Sequence, residues 1–141
     1  MTTTYEKACD FIKKKRHFEQ THKEETKFHY ALRRCADGFI KQIEKMEKKH
    51  NRDIVAASLE YASEDDKGRL IIIDKDQYSY TKANRKLLNE AIESMEDNLL
   101  ELPVEVNSYI ATSIPKDLTY EQQKAFDGFV LTYTEPEFIA P

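Results

Sequence analysis

The chain has 141 residues and a net charge of −4, with 34% charged and 40% apolar residues. That is enough for one domain with its own core, and the apolar spacing is too regular for a disordered segment. No apolar run approaches the roughly eighteen residues that a membrane span needs, and three glycines in all leave no glycine-rich loop to cradle a phosphate.

The charge is uneven. Residues 1–50 hold 13 Lys and Arg against 8 Asp and Glu, and residues 51–141 hold 9 against 18. Such a chain is suited to pairing with itself or with a basic partner, and poorly suited to wrapping a nucleic acid.

The opening Met1-Thr-Thr-Thr-Tyr5 lacks the basic-then-apolar pattern of a signal peptide, which predicts a chain that stays in the cytoplasm where it is made. Residues 4 to about 23 read as a first helix, with Tyr5, Ala8, Cys9 and Ile12 on one face. Lys13-Lys-Lys-Arg16 is the one stretch with the chemistry to touch phosphate, but four consecutive helical residues point in all directions, so a solvated surface is the simpler reading. Cys9 and Cys35 have no metal-type spacing and fall on apolar positions, as reduced core residues do.

Residues 28–61 form the spine. Phe28, Leu32, Cys35, Phe39, Ile43, Met46, Ile54, Ala57 and Tyr61 recur at helical spacing, interrupted only by Gly38. A continuous helix here would be about 50 Å long, whereas a compact domain of this size has a diameter under about 40 Å. Either the helix breaks at His50-Asn51-Arg52-Asp53, with Asn51 or Asp53 as a new cap, or its protruding seam needs a partner. On that argument Phe28, Leu32, Phe39, Ile43 and Met46 are the candidate partner-binding residues, and a second copy is the simplest occupant.

After Tyr61 the pattern changes. Ser63-Glu-Asp-Asp-Lys-Gly68 reads as a polar turn, and the runs Arg69–Asp74 and Gln77–Tyr80 read as a β-hairpin over about 69–80. Continuous apolarity from Leu70 to Ile73 predicts that both faces are covered, one by the helices and one by a neighbouring chain. Thr81 caps a helix running to about Leu100, and alternation of Leu102, Val104, Val106 and Ile110 predicts a strand over about 103–111. Thr119-Tyr-Glu-Gln122 has capping-box spacing and opens a short last helix, and the tail from 132 carries Pro136 and Pro141 without a period. The expected fold is therefore helix-dominated α+β in a single domain. Residues 1–62 form a helical arm or helical hairpin, residues 63–131 a small α+β part with one antiparallel sheet and two further helices, and residues 132–141 an irregular tail.

Phe28, Ala31, Leu32 and Arg33-Arg34, followed by Leu59-Glu-Tyr-Ala62, Glu64-Asp-Asp-Lys-Gly68, Tyr78, Leu88-Asn-Glu90 and Glu105-Val106, give an order of features that resembles a group of small bacteriophage proteins of uncharacterised function. The resemblance covers residues 28–110 and rests on short motifs. It departs from the group in the extra N-terminal helix and the proline-bearing tail. It implies a phage or prophage accessory protein and carries over no catalytic residue.

The residues offer little chemistry. Ser58, Ser63, Ser79, Ser94 and Ser108 sit in no nucleophile-elbow context. His17 and His22 are one residue too far apart for a metalloprotease helix. His22, His29 and His50 share a heptad position but are too far apart along a helix to ligate one ion, and read as surface imidazoles. Glu44 with Glu47, and Glu93 with Glu96 and Asp97, have the spacing by which all-helical nucleotide pyrophosphatases hold Mg²⁺, yet they fall off the apolar faces. No catalytic residue, metal or cofactor is assigned.

The leading expectation is a non-catalytic, homo-oligomeric protein-binding accessory protein that inhibits a host defence system by direct binding. Its partner is then a host or virion protein, with neither membrane nor nucleic acid involved. Alternatives are a virion or tail-assembly component, a binder that sequesters a nucleotide with Arg69, Tyr78, Tyr80, Arg85 and Tyr109, and a Mg²⁺-dependent pyrophosphatase-like enzyme.

Overall fold

The computed structural model describes residues 1–74 and 77–132. The element order is β1 (Thr2–Thr4), α1 (Tyr5–Thr21), α2 (Lys27–Tyr61), β2 (Ile72–Asp74), β3 (Gln77–Tyr78), α3 (Lys82–Glu101), β4 (Pro103–Glu105) and α4 (Tyr120–Phe126), a helix-dominated α+β fold. The irregular tail expected over 132–141, with Pro136 and Pro141, lies outside the described residues beyond Thr132, as do Lys75 and Asp76 of the expected hairpin. The chain divides into two compact units, Met1–Ile43 with the segment from Leu102 onward, and Glu44–Glu101. This differs from the expected division at residue 62, because α2 contributes its first half to one unit and its second half to the other.

The strands form two separate two-stranded sheets rather than one. β4, expected beside the hairpin, instead pairs antiparallel with β1 in the register Thr2↔Glu105, Thr3↔Val104 and Thr4↔Pro103. It is also much shorter than expected: Val106 N still donates to Met1 O (3.0 Å), but the chain beyond it bonds elsewhere, Tyr109 N donating to Phe129 O and Ala111 N to Val130 O (both 2.8 Å). Gln42 seals the outer side of β4: its Nε2 donates to Glu105 O (2.9 Å) and its Oε1 accepts from Glu105 N (2.8 Å). One carboxamide thus stands in for a third strand.

Thr4 Oγ1 accepts from Lys7 N and caps α1. The first unit is held by an aromatic core. Phe11 packs edge-on against Phe39, Phe126 and Phe129 at 5.3–5.5 Å, while Phe18 meets Phe28 and Phe28 meets Phe126. Gly38 is tolerated inside α2 because a Cβ there would come within 3.2 Å of Asn107 Cβ. α4 opens on the expected capping box of Thr119 and Gln122.

In the second unit α2 runs on without the break expected at Asn51 or Asp53. Asp53 pairs one turn back with Lys49 (3.1 Å) and supports the helix instead of starting a new one. The last carbonyls of α2, which have no helical partner, are taken up by later side chains: Tyr80 Oη donates to Ser58 O and Asn84 Nδ2 to Tyr61 O (both 3.2 Å). The acidic turn closes on Asp65, whose carboxylate accepts from Lys67 N, Arg69 N and Arg69 Nε, each at 2.9 Å, with Gly68 at φ 77° completing the reversal. The Arg69 and Lys67 backbone N–H groups, with the Arg69 side chain, hold this carboxyl below the ordinary aspartate range.

Candidate functional site

The seam residues expected to meet a partner are core. Phe28, Leu32 and Phe39 are at most 1% exposed and Ile43 is 8% exposed, and the rings of Phe18 and Phe126 meet Phe28 as those of Phe11 and Phe129 meet Phe39. Helical periodicity identifies a buried face and is silent on whose atoms bury it. Of the five, only Met46 is half-buried.

The longest consecutive run of open apolar residues among those described lies instead in the second unit. Its described apolar residues under 9% exposed are Ala57, Ala62 and Leu88, whereas Leu70, Ile71, Ile72 and Ile73 are 37, 41, 57 and 69% exposed, and Val55, Leu59, Leu87 and Leu100 are also open. The covering from both faces expected for Leu70–Ile73 is therefore not supplied by the described residues of the chain, since β2 has a single ladder partner in β3.

Beside this surface lies a cavity of about 570 Å³, lined from α2 by Val55 and Ser58, from the hairpin and its exit by Ile73, Gln77, Tyr78 and Tyr80, and from α3 by Arg85, Leu88, Asn89 and Ile92. Three of the five expected ligand residues meet here. Tyr80 is fixed through its hydroxyl to α2, and the Arg85 guanidinium lies over its ring at 5.4 Å. Arg69 does not line the cavity, because Asp65 holds it in the turn. Tyr109 belongs to the first unit, where it stands edge-on to Tyr30 (5.7 Å) with Arg34 over its ring (4.8 Å). Ser58 Oγ donates to Ile54 O (2.8 Å), so the hydroxyl in the cavity is committed to the helix and is not poised as a nucleophile. Gln77 and Asn89 were not foreseen: each lies on a polar face with no signal that it borders a cavity.

A second cavity of about 460 Å³ lies in the first unit, lined by Phe18, Phe28, His22, His29, Ile114 and Pro115 among others. His29 was expected at the surface and is 3% exposed. Its Nδ1 accepts from Thr26 N (3.1 Å) and its Nε2 bonds His22 O (2.8 Å), which fixes the tautomer and ties the loop between α1 and α2. His22 stacks on Phe18 at 4.1 Å and its Nε2 meets Asp117 Oδ2 at 2.7 Å, holding that carboxyl below its ordinary range. Both imidazoles thus have protein partners that explain them.

Among the described residues no group of three His, Cys, Asp or Glu side chains is placed to hold a metal ion. Glu44, Glu47, Glu93, Glu96 and Asp97 all lie on exposed helix faces. Cys35 is buried, which pushes its thiol up to about 12. In the basic run, Lys14 pairs with Asp10 (3.5 Å) and Lys15 with Glu19 (2.6 Å), which commits two of its four cations to α1. No helix of the described residues is long and apolar enough to cross a membrane. Comparison with protein-family models, with curated proteins and with solved structures finds no match to the chain.

Proposed function

We propose that this chain is a non-catalytic binding protein that engages another polypeptide through its second unit, by the hairpin face Leu70–Ile73 and the cavity beside it. The observation that carries this reading is four consecutive apolar residues left 37–69% exposed in one short segment, since contiguous open apolar side chains of that kind mark a surface for association. The resemblance to phage accessory proteins supports placing the partner in a host cell, where direct binding inhibits a defence system.

The test places a photo-crosslinking residue at Ile73 and, as a control, at Glu6 of the first unit. Crosslinks to polypeptide from Ile73, lost when Ile72→Asp is added and absent from Glu6, are the expected result. Equal labelling from both sites overturns the reading.

A second reading is favoured by the pairing of Arg85 with Tyr80 beside Gln77 and Asn89: the cavity stacks and hydrogen-bonds a nucleotide. Nucleotide released on denaturing the freshly purified protein supports this. A clean supernatant, with no thermal shift on adding nucleotides, removes it.

A further inference from the structure

α3 carries its charges in the order least favourable to itself. Lys82, Arg85 and Lys86 open the helix and Glu90, Glu93, Glu96, Asp97 and Glu101 follow, with no acid in the first turn and no base in the last. The helix dipole favours the reverse, since the exposed N–H groups at the start attract anions and the free carbonyls at the end attract cations. All eight side chains are exposed, and none of them forms an ion pair among the described residues. A helix that breaks a local rule at both ends, with no ion pair among the described residues to compensate, is a place to look for function.

The placement is also ordered around the helix. Lys82, Lys86, Glu93 and Asp97 are separated by four, seven and four residues, so they form one stripe, basic at one end and acidic at the other. We infer that the chain pairs with a second copy of itself by laying α3 antiparallel on α3 about a twofold axis. With the axis beside Glu90, Lys86 faces Glu93 of the second copy and Lys82 faces its Asp97, and the twofold repeats both pairs. Each basic start then lies along an acidic end and the two dipoles oppose, so the arrangement that costs the single helix stabilises the pair. A parallel pairing places like charges together and is excluded. Leu100, 40% exposed, lies five turns after Lys82 on the same face and adds apolar surface to the stripe. This inference rests on the reading of the second unit as an interaction surface, and names the partner as this chain.

Sedimentation equilibrium on the full chain tests it. The wild type is expected to be a dimer at low salt that weakens as salt is raised. Lys82→Glu with Lys86→Glu makes the stripe wholly acidic, and Glu93→Lys with Asp97→Lys makes it wholly basic. Each variant alone is expected to raise the dimer Kd at least about tenfold, and an equimolar mixture restores dimers as heterodimers. All four positions are exposed and Lys82→Glu puts an acid in the first turn, where the helix dipole favours it, so each variant keeps a melting temperature close to that of the wild type and loss of dimer is not loss of fold. A wild type monomeric at low salt, a dimer indifferent to both variants, or a mixture that stays monomeric each overturns the inference. A monomer whose Ile73 still crosslinks a foreign polypeptide sinks self-pairing and keeps the broader reading. A charge-dependent dimer with Ile73 silent does the opposite for the hairpin face.

Discussion

Phe39→Ala separates the two meanings of the apolar seam. Were Phe39 a partner contact on an open face, truncation would leave the isolated chain as stable as before, because nothing of its own fold would be lost. The ring is 0% exposed and stands edge-on to Phe11 at 5.5 Å and to Phe129 at 5.4 Å. Removing a fully buried phenylalanine costs about 3–5 kcal/mol in lost transfer energy and cavity. Two edge contacts of about 0.5–1.5 kcal/mol each place this site toward the upper part of that range. A loss of about 4 kcal/mol is a large fraction of the about 5–15 kcal/mol that holds a domain, and with a urea m-value of about 2 kcal/mol/M it lowers the unfolding midpoint by about 2 M. The chain has no tryptophan, so far-UV circular dichroism in urea is the assay. Ile73→Asp serves as the control: at 69% exposure it should change the stability by no more than about 0.5 kcal/mol. A Phe39→Ala midpoint within error of wild type would refute the assignment of the seam to the core.

Gln42→Ala removes both hydrogen bonds to the Glu105 backbone and should cost about 1–2 kcal/mol, with faster amide exchange at Glu105 as the local readout. Gly38→Ala gains helix propensity of about 1 kcal/mol against the 3.2 Å approach of Asn107. The thermal shift should be smaller than propensity alone gives, and Gly38→Val should destabilise. Asp65 has a depressed carboxyl, so its contribution is present above the ordinary aspartate value of about 3.9 and is lost as pH falls through its lower folded value. Hydrogen exchange at Lys67 and Arg69 should accelerate in that acid window, and Asp65→Asn should show the fast exchange already at neutral pH.

Helix starts were legible because their chemistry is local: Thr119 with Gln122 three residues on is a cap whatever surrounds it, and Thr81 accepts from Asn84 N as its type implies. β1 was not legible. Three threonines carry no alternation, and their partner stands a hundred residues away at Pro103–Glu105. Asn51 and Asp53 look like caps in isolation, and only the Lys49 partner shows Asp53 serving the helix interior. Tyr78, Tyr80 and Arg85 were found together because they are neighbours in sequence on one connection. Val55 and Asn89 complete the same cavity from helices whose packing no short window reveals. The spine's large apolar positions were identified, though the buried Ala31 and Ala36 were not, and their role was misassigned for want of knowing that Phe126 and Phe129 return to fill the space.

That late return has a consequence for synthesis on the ribosome. Glu44–Glu101 is contiguous and has all its residues once Glu101 has emerged, whereas the other unit must wait for Phe126, Phe129 and Val130. Through that interval Phe11, Phe28 and Phe39 lack the rings that later cover them, so the nascent chain shows its stickiest stretch first and hides it last. Holdase chaperones would meet this protein at its N-terminal half, and a stop codon placed before residue 126 should yield aggregate rather than a shortened fold.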